Sequence, residues 1–436
     1  MPDTPKIIFW FRRDLRLNDN AGLYHALRQE FPVIPLFIFD EEILQGLPPD
    51  DKRVVFIHRC LGKIQDNISS FGSSLLIKQG EVLPVWEELL QEYKITAVFA
   101  NSDYEPAAIE RDKRVRQLLD KQQIPLRLYK DQVIFEKSEI VKHDGNPYTV
   151  YSYYRNQWMD RFIMQEPGRF PSENYLHQLD SNRSRRLPAL QEIGFKAEKT
   201  KFPSSEIPTD IIRNYHNTRD YPALENGTTR LGIHLRFGTI SIRELAAAVN
   251  GMKAQDFLNE LIWRDFFMMI LYHFPQVVNR PFKEKYADIR WIDDENHFEK
   301  WKQGKTGYPM VDAGMRQLMA EGYMHNRVRM ITASFLSKHL LINWQWGEKW
   351  FAEKLLDFEL SSNNGNWQWS AGCGVDAAPY FRIFNPLAQQ KKYDPDLRYI
   401  KKYVPEYGSS RYPEPLVEHR KARERALSVY GAAVKQ

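Results

Sequence analysis

Across the first 130 residues, short apolar runs alternate with amphipathic stretches. The runs KIIFWF (6–11), VIPLFIFD (33–40), SLLIKQG (74–80), AVFANSDY (97–104) and LRLYKD (126–131) carry the β-branched and aromatic bias of strands. Charged segments near 20–30, 53–70, 82–93 and 105–122 predict helices between them. That alternation predicts a doubly wound parallel α/β domain over 1–130. The turn after the first strand, RRDLRLNDNAG, lacks GxGxxG, so the pyrophosphate of a dinucleotide is not expected there. A ligand at the sheet's C-terminal edge stays open. From 131 to 204 the pattern breaks into proline, serine and charge clusters such as EPGRFPSEN and NRSRRLPAL, which predict a long surface connection. From 205 to 436 helical periodicity dominates, as in ELAAAVNGMKAQDFLNELIWRDFFMMILYHF, and predicts an all-helical domain ending in a basic helix, EHRKARERALSVYGAAVKQ.

A chain of 436 residues exceeds the size at which one hydrophobic core stops growing, which agrees with two domains. No apolar run approaches the length of about 18 residues that a membrane span requires. The N-terminus MPDTPKIIFWFRRD lacks the succession of a secretory signal, and Cys60 and Cys373 are the only cysteines. The expectation is a cytoplasmic protein in a reducing compartment, with no metal site. Residues 1–200 hold 28 basic and 29 acidic side chains, whereas residues 201–436 hold 33 and 27, so the second half carries the whole net charge of +5 and more. Eight of the eleven tryptophans also follow residue 260. Basic surface interleaved with aromatics suits nucleic acid, through phosphate neutralisation and base stacking, although a helical core with a solvated basic face has the same composition.

Three segments gather candidate chemistry. In GTTRLGIHLRFGTIS (227–241), hydroxyls ahead of an apolar run predict a helix N-cap, and Thr228, Thr229 and Arg230 are candidate phosphate contacts. NELIWRDFF (259–267) places Glu260, Trp263 and Arg264 within one helical turn, where a carboxylate, an indole and a guanidinium could meet a base edge, a ring face and a phosphate. An amphipathic helix with an ordinary ion pair satisfies the same spacing. In MHNRVRMITASFLSKHLL (324–341), Asn326 and Arg327 begin an apolar helix, and Arg329 is suited to pairing with Asp357. His325 has no partner at metal-ligand spacing, and no HExxH or P-loop motif is visible.

These segments, together with FWFRRDLRLNDNAGL, KWKQGKTGYPMVDAGMRQL, NNGNWQWSAGCGVDAAPYFRIFNP and DPDLRYIKKYVPE, span nearly the whole chain and resemble the photolyase/cryptochrome flavoproteins, and within them the class I cyclobutane pyrimidine dimer photolyases. The resemblance implies an N-terminal Rossmann-like antenna domain and a C-terminal helical domain that binds FAD in a U shape. By motif position, Tyr215, Thr228, Thr229, Arg230, Leu231 and Gly232 would hold the ribityl chain and diphosphate; the family usually has serine at the place of Gly232. Asp357, Phe358 and Glu359 would lie along the flavin, with Arg329 pairing Asp357 and Asn363 facing N5. Glu359 is aspartate in many relatives. The small residues of SSNNGNWQWSAGCGV would let backbone and Asn363 approach the flat cofactor. Trp367, Trp344 and Trp291 match the family's electron-transfer tryptophans.

The resemblance further implies a light-driven reaction in which reduced FAD gives an electron to a flipped-out dimer, whose cyclobutane ring splits before the electron returns. Glu260 would hydrogen-bond the dimer, Trp263 would stack on it, and Asn326, Met330 and Trp369 would complete the pocket. Arg219, Arg264, Arg327, Gln389 and Lys391 would hold the DNA backbone. UV-damaged DNA is the expected partner, bound by a monomer. A (6-4) photolyase would carry a histidine pair where Asn326 stands, and a cryptochrome would carry a C-terminal extension after the helical domain, whereas this chain ends at Gln436. A dark flavin oxidoreductase would need a nicotinamide site, and none is visible. Folate-using relatives place asparagine and glutamate where this chain has Ala107 and Ala108, so the antenna is left among a deazaflavin, a second flavin, folate or none.

Overall fold

A computed structural model describes residues 4–165, 167–181, 185–197 and 200–435. The chain divides into two compact units that interleave in sequence: Met1–Glu136, Arg161–Ile207 and Arg230–Ala248 form one, and Lys137–Asp160, Pro208–Thr229 and Val249–Gln436 form the other.

In the first unit, β1 (Lys6–Phe11), β2 (Val33–Asp40), β3 (Leu76–Gly80), β4 (Ile95–Asn101) and β5 (Leu126–Tyr129) make one all-parallel sheet in the order β3-β2-β1-β4-β5. Helices α1 (Ala21–Leu27), α2 (Lys52–Ser69), α3 (Val82–Glu92) and α4 (Pro106–Asp120) connect the strands, as the alternation predicts. The central strands are continuous apolar runs because both of their faces are covered, and all six residues of β1 are buried. β3 begins at Leu76 and not at Ser74, whose hydroxyl accepts from the Arg185 amide and whose carbonyl accepts from the Arg185 guanidinium at 3.4 Å.

At the start of α1 the chain supplies its own acceptors. Asn101 Oδ1 accepts from the Gly22 amide at 2.7 Å and Asp131 Oδ1 from the Ala21 amide at 3.1 Å, so the chain's own acceptors fill the helix N-terminus. The neighbouring arginines of RRDLR are spent in the same way. Arg16 meets Asp131 at 2.7 Å with both side chains buried, Arg13 meets Glu105 at 2.7 Å, and Arg243 joins Asp131 at 2.9 Å. Beside this network, Leu15, Arg16, Leu17 and Asn18 line a cavity of about 900 Å³ with Phe56, Arg59 and His234, so the sheet edge that the sequence left open stays open to a ligand.

The stretch 131–204 is shared between the units and is not a bare connection. Helix α5 (Tyr151–Met164) lies within it, and Tyr154, Trp158 and Phe162, spaced i, i+4 and i+8, are its buried stripe. The Trp158 indole N–H donates to Asp265 Oδ2 at 3.0 Å within the second unit. Of the clusters named for this stretch, Glu166 and residues 182–184 lie outside the described residues, as does the terminal Gln436.

Beyond α6 (Gly232–Phe237), the long periodic run is two helices, α7 (Ile242–Gly251) and α8 (Gln255–His273), separated where Lys253 takes a left-handed φ of 57°. The second unit then builds on α8, α9 (Asn326–Ser334), α10 (Trp344–Lys354), α11 (Leu360–Ala371), α12 (Pro386–Tyr393) and α13 (His419–Lys435). Its core joins Trp301, Val328, Phe335, Trp344 and Trp367. Among the described residues, no helix is long and apolar enough to cross a membrane.

Candidate active site

The amide-rich stretch SSNNGNWQWSA is helix α11. Glu359 caps it by accepting from the Ser362 amide at 2.9 Å, and Gly372 ends it in the left-handed conformation at φ 89°. Two of the glycines serve packing. A Cβ on Gly365 would run into the Phe267 ring, and one on Gly374 would sit 2.8 Å from Gln368 Cβ. The open side of these two glycines is therefore taken by neighbouring side chains, whereas Ser362, Asn363 and Ser370 of the same stretch line a cavity.

What α11 does present is a polar stripe. Ser362, Asn363, Asn366, Trp367 and Ser370 recur at helical spacing and line a cavity of about 100 Å³ with Arg329, Asp357, Phe358, Glu359, Asn326 and Met330. Arg329 Nη2 donates to both Asp357 oxygens, at 3.1 and 2.9 Å. Asn363 Nδ2 donates to the Glu348 carbonyl at 3.0 Å and to its carboxylate at 2.8 Å, which directs the amide oxygen away from Glu348. Burial raises the Glu348 carboxyl above its ordinary range, and the Asn363 bond opposes this only in part. A guanidinium, a carboxylate and an amide between Phe358 and Trp367 are the donor set that a flat heterocycle with alternating polar edges requires, so these residues fit a flavin by their chemistry.

A second cavity, of about 290 Å³, is lined by Arg219, Glu260, Trp263, Arg264, Phe267 and Trp369, and it shares Asn326, Met330, Ser362 and Asn366 with the first. α8 places Glu260, Trp263 and Arg264 on one face, as the spacing predicts. Glu260 meets Arg219 at 2.7 Å, and burial holds its carboxyl above the ordinary range although Arg219 pulls the other way. The Arg219 guanidinium also lies 5.1 Å over the Tyr215 ring, which keeps Tyr215 beside this cavity's wall and outside the flat-ligand cavity's lining.

The other expected residues are distributed more widely. Arg327 pairs with Asp220 at 2.7 Å and lies 4.5 Å over Tyr393. Gln389 and Lys391 stand on α12 and line neither cavity. Thr228 and Thr229 belong to the second unit, and Arg230, Leu231 and Gly232 to the first. The threonines do not cap α6. Its N-cap is Leu231 without a side-chain bond, because Arg230 turns the chain at φ 53°, and the Thr228 hydroxyl lies 3.1 Å from the Tyr323 hydroxyl. Trp367 and Trp344 are buried in the core of the second unit, with Trp291 packed against it.

Motif reading missed Glu348, Tyr151, Trp301 and the pair Ser362 and Asn366. Trp301 is fully buried 6.2 Å from Trp367. Only the last pair left a signal, since Ser362, Asn366 and Ser370 recur every four residues. Among the described residues, no three His, Cys, Asp or Glu side chains gather to hold a metal.

Comparison with known proteins adds to this geometry. The family described as DNA photolyase matches residues 7–172, and the family described as FAD binding domain of DNA photolyase matches residues 257–411. The chain is 36% identical to a deoxyribodipyrimidine photo-lyase of Halobacterium salinarum, over 98% of this chain and 99% of that one. It is similar to the crystal structure of a bacterial class III photolyase from Agrobacterium tumefaciens (33% identity, TM-score 0.88, 100% of this chain and 98% of that one). It is also similar to an archaeal photolyase from Sulfolobus tokodaii with two FAD molecules (33% identity, TM-score 0.80, 98% of this chain and 100% of that one).

Proposed function

The chain belongs to the DNA photolyase family, and from that premise we propose that it binds UV-damaged DNA and splits cyclobutane pyrimidine dimers in a light-driven reaction. FAD is the cofactor, and when bound and reduced it supplies the photoexcited electron that opens the cyclobutane ring. The observation that carries the reading is the shared wall: Asn326, Met330, Ser362 and Asn366 border both the cavity with flavin-type donors and the larger cavity beside it. A donor in one and an acceptor in the other are then a single layer of side chains apart.

The chain's own residues have separable roles in this reading. Arg329, Asp357, Phe358, Glu359, Asn363 and Trp367 would hold and orient the flavin, with Tyr215, Thr228 and Thr229 as the contacts for its ribityl and phosphate end. Trp344 and Trp291 continue from Trp367 as the electron-supply route. Glu260 hydrogen-bonds the flipped dimer, and Trp263 and Trp369 flank it, which excludes water from the reacting bonds. Arg219, Arg264 and Arg327 take backbone phosphates, with Gln389 and Lys391 at the periphery. The protein acts as a monomer in the cytoplasm, where its two buried cysteines stay reduced.

The test is reduced, purified protein with an oligonucleotide carrying one thymine cyclobutane dimer, lit with blue light or kept dark, beside a (6-4) substrate. Restoration of the dimer in light alone is expected. Restoration of only the (6-4) product would overturn the dimer specificity, and flavin binding without repair of either would favour a light sensor. Extraction of bound chromophores distinguishes folate, deazaflavin and a second flavin as the antenna.

A further inference from the structure

Tyr151, the first residue of α5, stacks on Trp263 with ring centroids 3.6 Å apart and planes 5° from parallel. Three further bonds fix that pairing. The Tyr151 hydroxyl donates to the Asn259 carbonyl at 3.0 Å, its amide donates to Asp376 Oδ2 at 3.0 Å, and one turn on, Arg155 Nε donates to Asn259 Oδ1 at 2.7 Å. Asn259 directly precedes Glu260, so the first turn of α5 is clamped to the turn of α8 that carries both pocket residues. Tyr151 does not line the 290 Å³ cavity, whereas Trp263 does. One face of the indole is thus taken by the phenol, and the cavity meets what remains.

We propose that Tyr151 is a positioning residue for lesion recognition, holding the Trp263 indole at the angle at which a flipped pyrimidine dimer stacks against it. The inference rests on the dimer-repair reading above. An indole free to rotate about χ1 and χ2 loses entropy when it stacks on a ligand, and a backing ring removes that freedom before DNA arrives. A sequence-independent phosphate contact gains nothing from the same device, so the effect falls on dimer-containing DNA and spares its undamaged twin.

The experiment measures dark Kd values of FAD-loaded parent, Tyr151→Phe and Tyr151→Leu for an oligonucleotide with one thymine dimer and for the undamaged sequence. Tyr151→Leu is expected to bind the dimer about fivefold more weakly, the scale of one aromatic pair, with no change on undamaged DNA. Tyr151→Phe keeps the ring and restores the dimer affinity. Dimer affinity unchanged in Tyr151→Leu, or an equal loss on both DNAs, would overturn the proposal. The Trp263 resonance in 5-fluorotryptophan-labelled protein, assigned with Trp263→Phe, gives a second readout. It should broaden or move in Tyr151→Leu and hold in Tyr151→Phe. A parent that fails to distinguish dimer from undamaged DNA would sink the repair reading, while the fluorine signal would still decide whether Tyr151 fixes the indole.

Discussion

Glu260 holds its carboxylate 2.7 Å from Arg219 in a half-buried cavity, and burial raises its pKa despite that cation. A carboxyl in such a place can hydrogen-bond a pyrimidine edge in either protonation state, which is what a group meeting both carbonyl and N–H positions of a dimer needs. Glu260→Gln keeps the bond geometry, whereas Glu260→Ala leaves Arg219 and the dimer edge unpaired. The alanine variant is expected to repair with a clearly lower yield per bound dimer, and the glutamine variant to retain most of the parent's yield. Laser-flash or steady-state repair on saturated complexes measures it. A parental yield from Glu260→Ala would remove Glu260 from the reaction.

Individual elements explain how much of this was legible. β1 and β2 could be read to the residue, since a strand buried on both faces leaves an unbroken apolar run. Glu260, Trp263 and Arg264 could be placed together because helical spacing alone puts them on one face. Tyr151 could not, because its partner Trp263 lies more than a hundred residues away and the flanking prolines and serines suggested a loop. Glu348 escaped for the same reason: it meets the cavity's lining through Asn363, a contact made between α10 and α11. Gly347 on α10 is a further instance. A Cβ there would sit 2.5 Å from Leu336 Cδ2 and collide with the outer edge of Trp367, which walls the cavity of about 100 Å³. Gly347→Ala is expected to cost about 1–3 kcal/mol, the usual scale of overpacking, and to lower the flavin retained per protein on purification. Denaturant unfolding and the ratio of flavin to protein absorbance check the two effects. Stability and flavin content equal to the parent's would show that α10 can shift freely past Trp367.

The element that joins α9 to the core carries a pH dependence. Phe335–Leu340 is a π-helical stretch, and its His339 has Nε2 2.8 Å from His419 Nδ1 on α13. Burial, with His419, Arg425 and Lys338 close by, pushes the His339 pKa down to about 3, against 6.5 in a free chain. The folded state keeps the ring neutral while the unfolded chain protonates below 6.5, so the unfolded state binds more protons in that window. The stability is present above pH 6.5 and is lost as the pH falls from there toward 3, by up to about 1.4 kcal/mol per pH unit for this one group. Thermal unfolding between pH 7 and pH 5 should show a steeper decline for the parent than for His339→Gln. Parallel declines would assign the acid sensitivity to other groups.

At the scale of the whole molecule, the uneven charge gives the second half the basic excess that phosphate binding draws on. Residues 201–436 carry the basic excess, and Arg219 and Arg264 line the wall of the larger cavity. Phosphate contacts release condensed counterions, so the logarithm of the binding constant falls linearly with the logarithm of salt, by roughly 0.9 per phosphate on duplex DNA. Three to five contacts by the named arginines and their neighbours predict a slope of about −3 to −4.5. Arg327 starts from a 2.7 Å pair with Asp220, so moving it onto a phosphate costs that pair and gains less. Arg327→Gln should therefore reduce the slope by less than one unit, and Arg264→Gln should also lower it, with both losses equal on damaged and undamaged DNA. Titrations from 50 to 300 mM salt, on the order used to separate such slopes, decide it. A flat salt dependence in the parent would mean that the lesion pocket alone provides the affinity. A loss confined to dimer-containing DNA would move Arg264 from the backbone to the lesion itself.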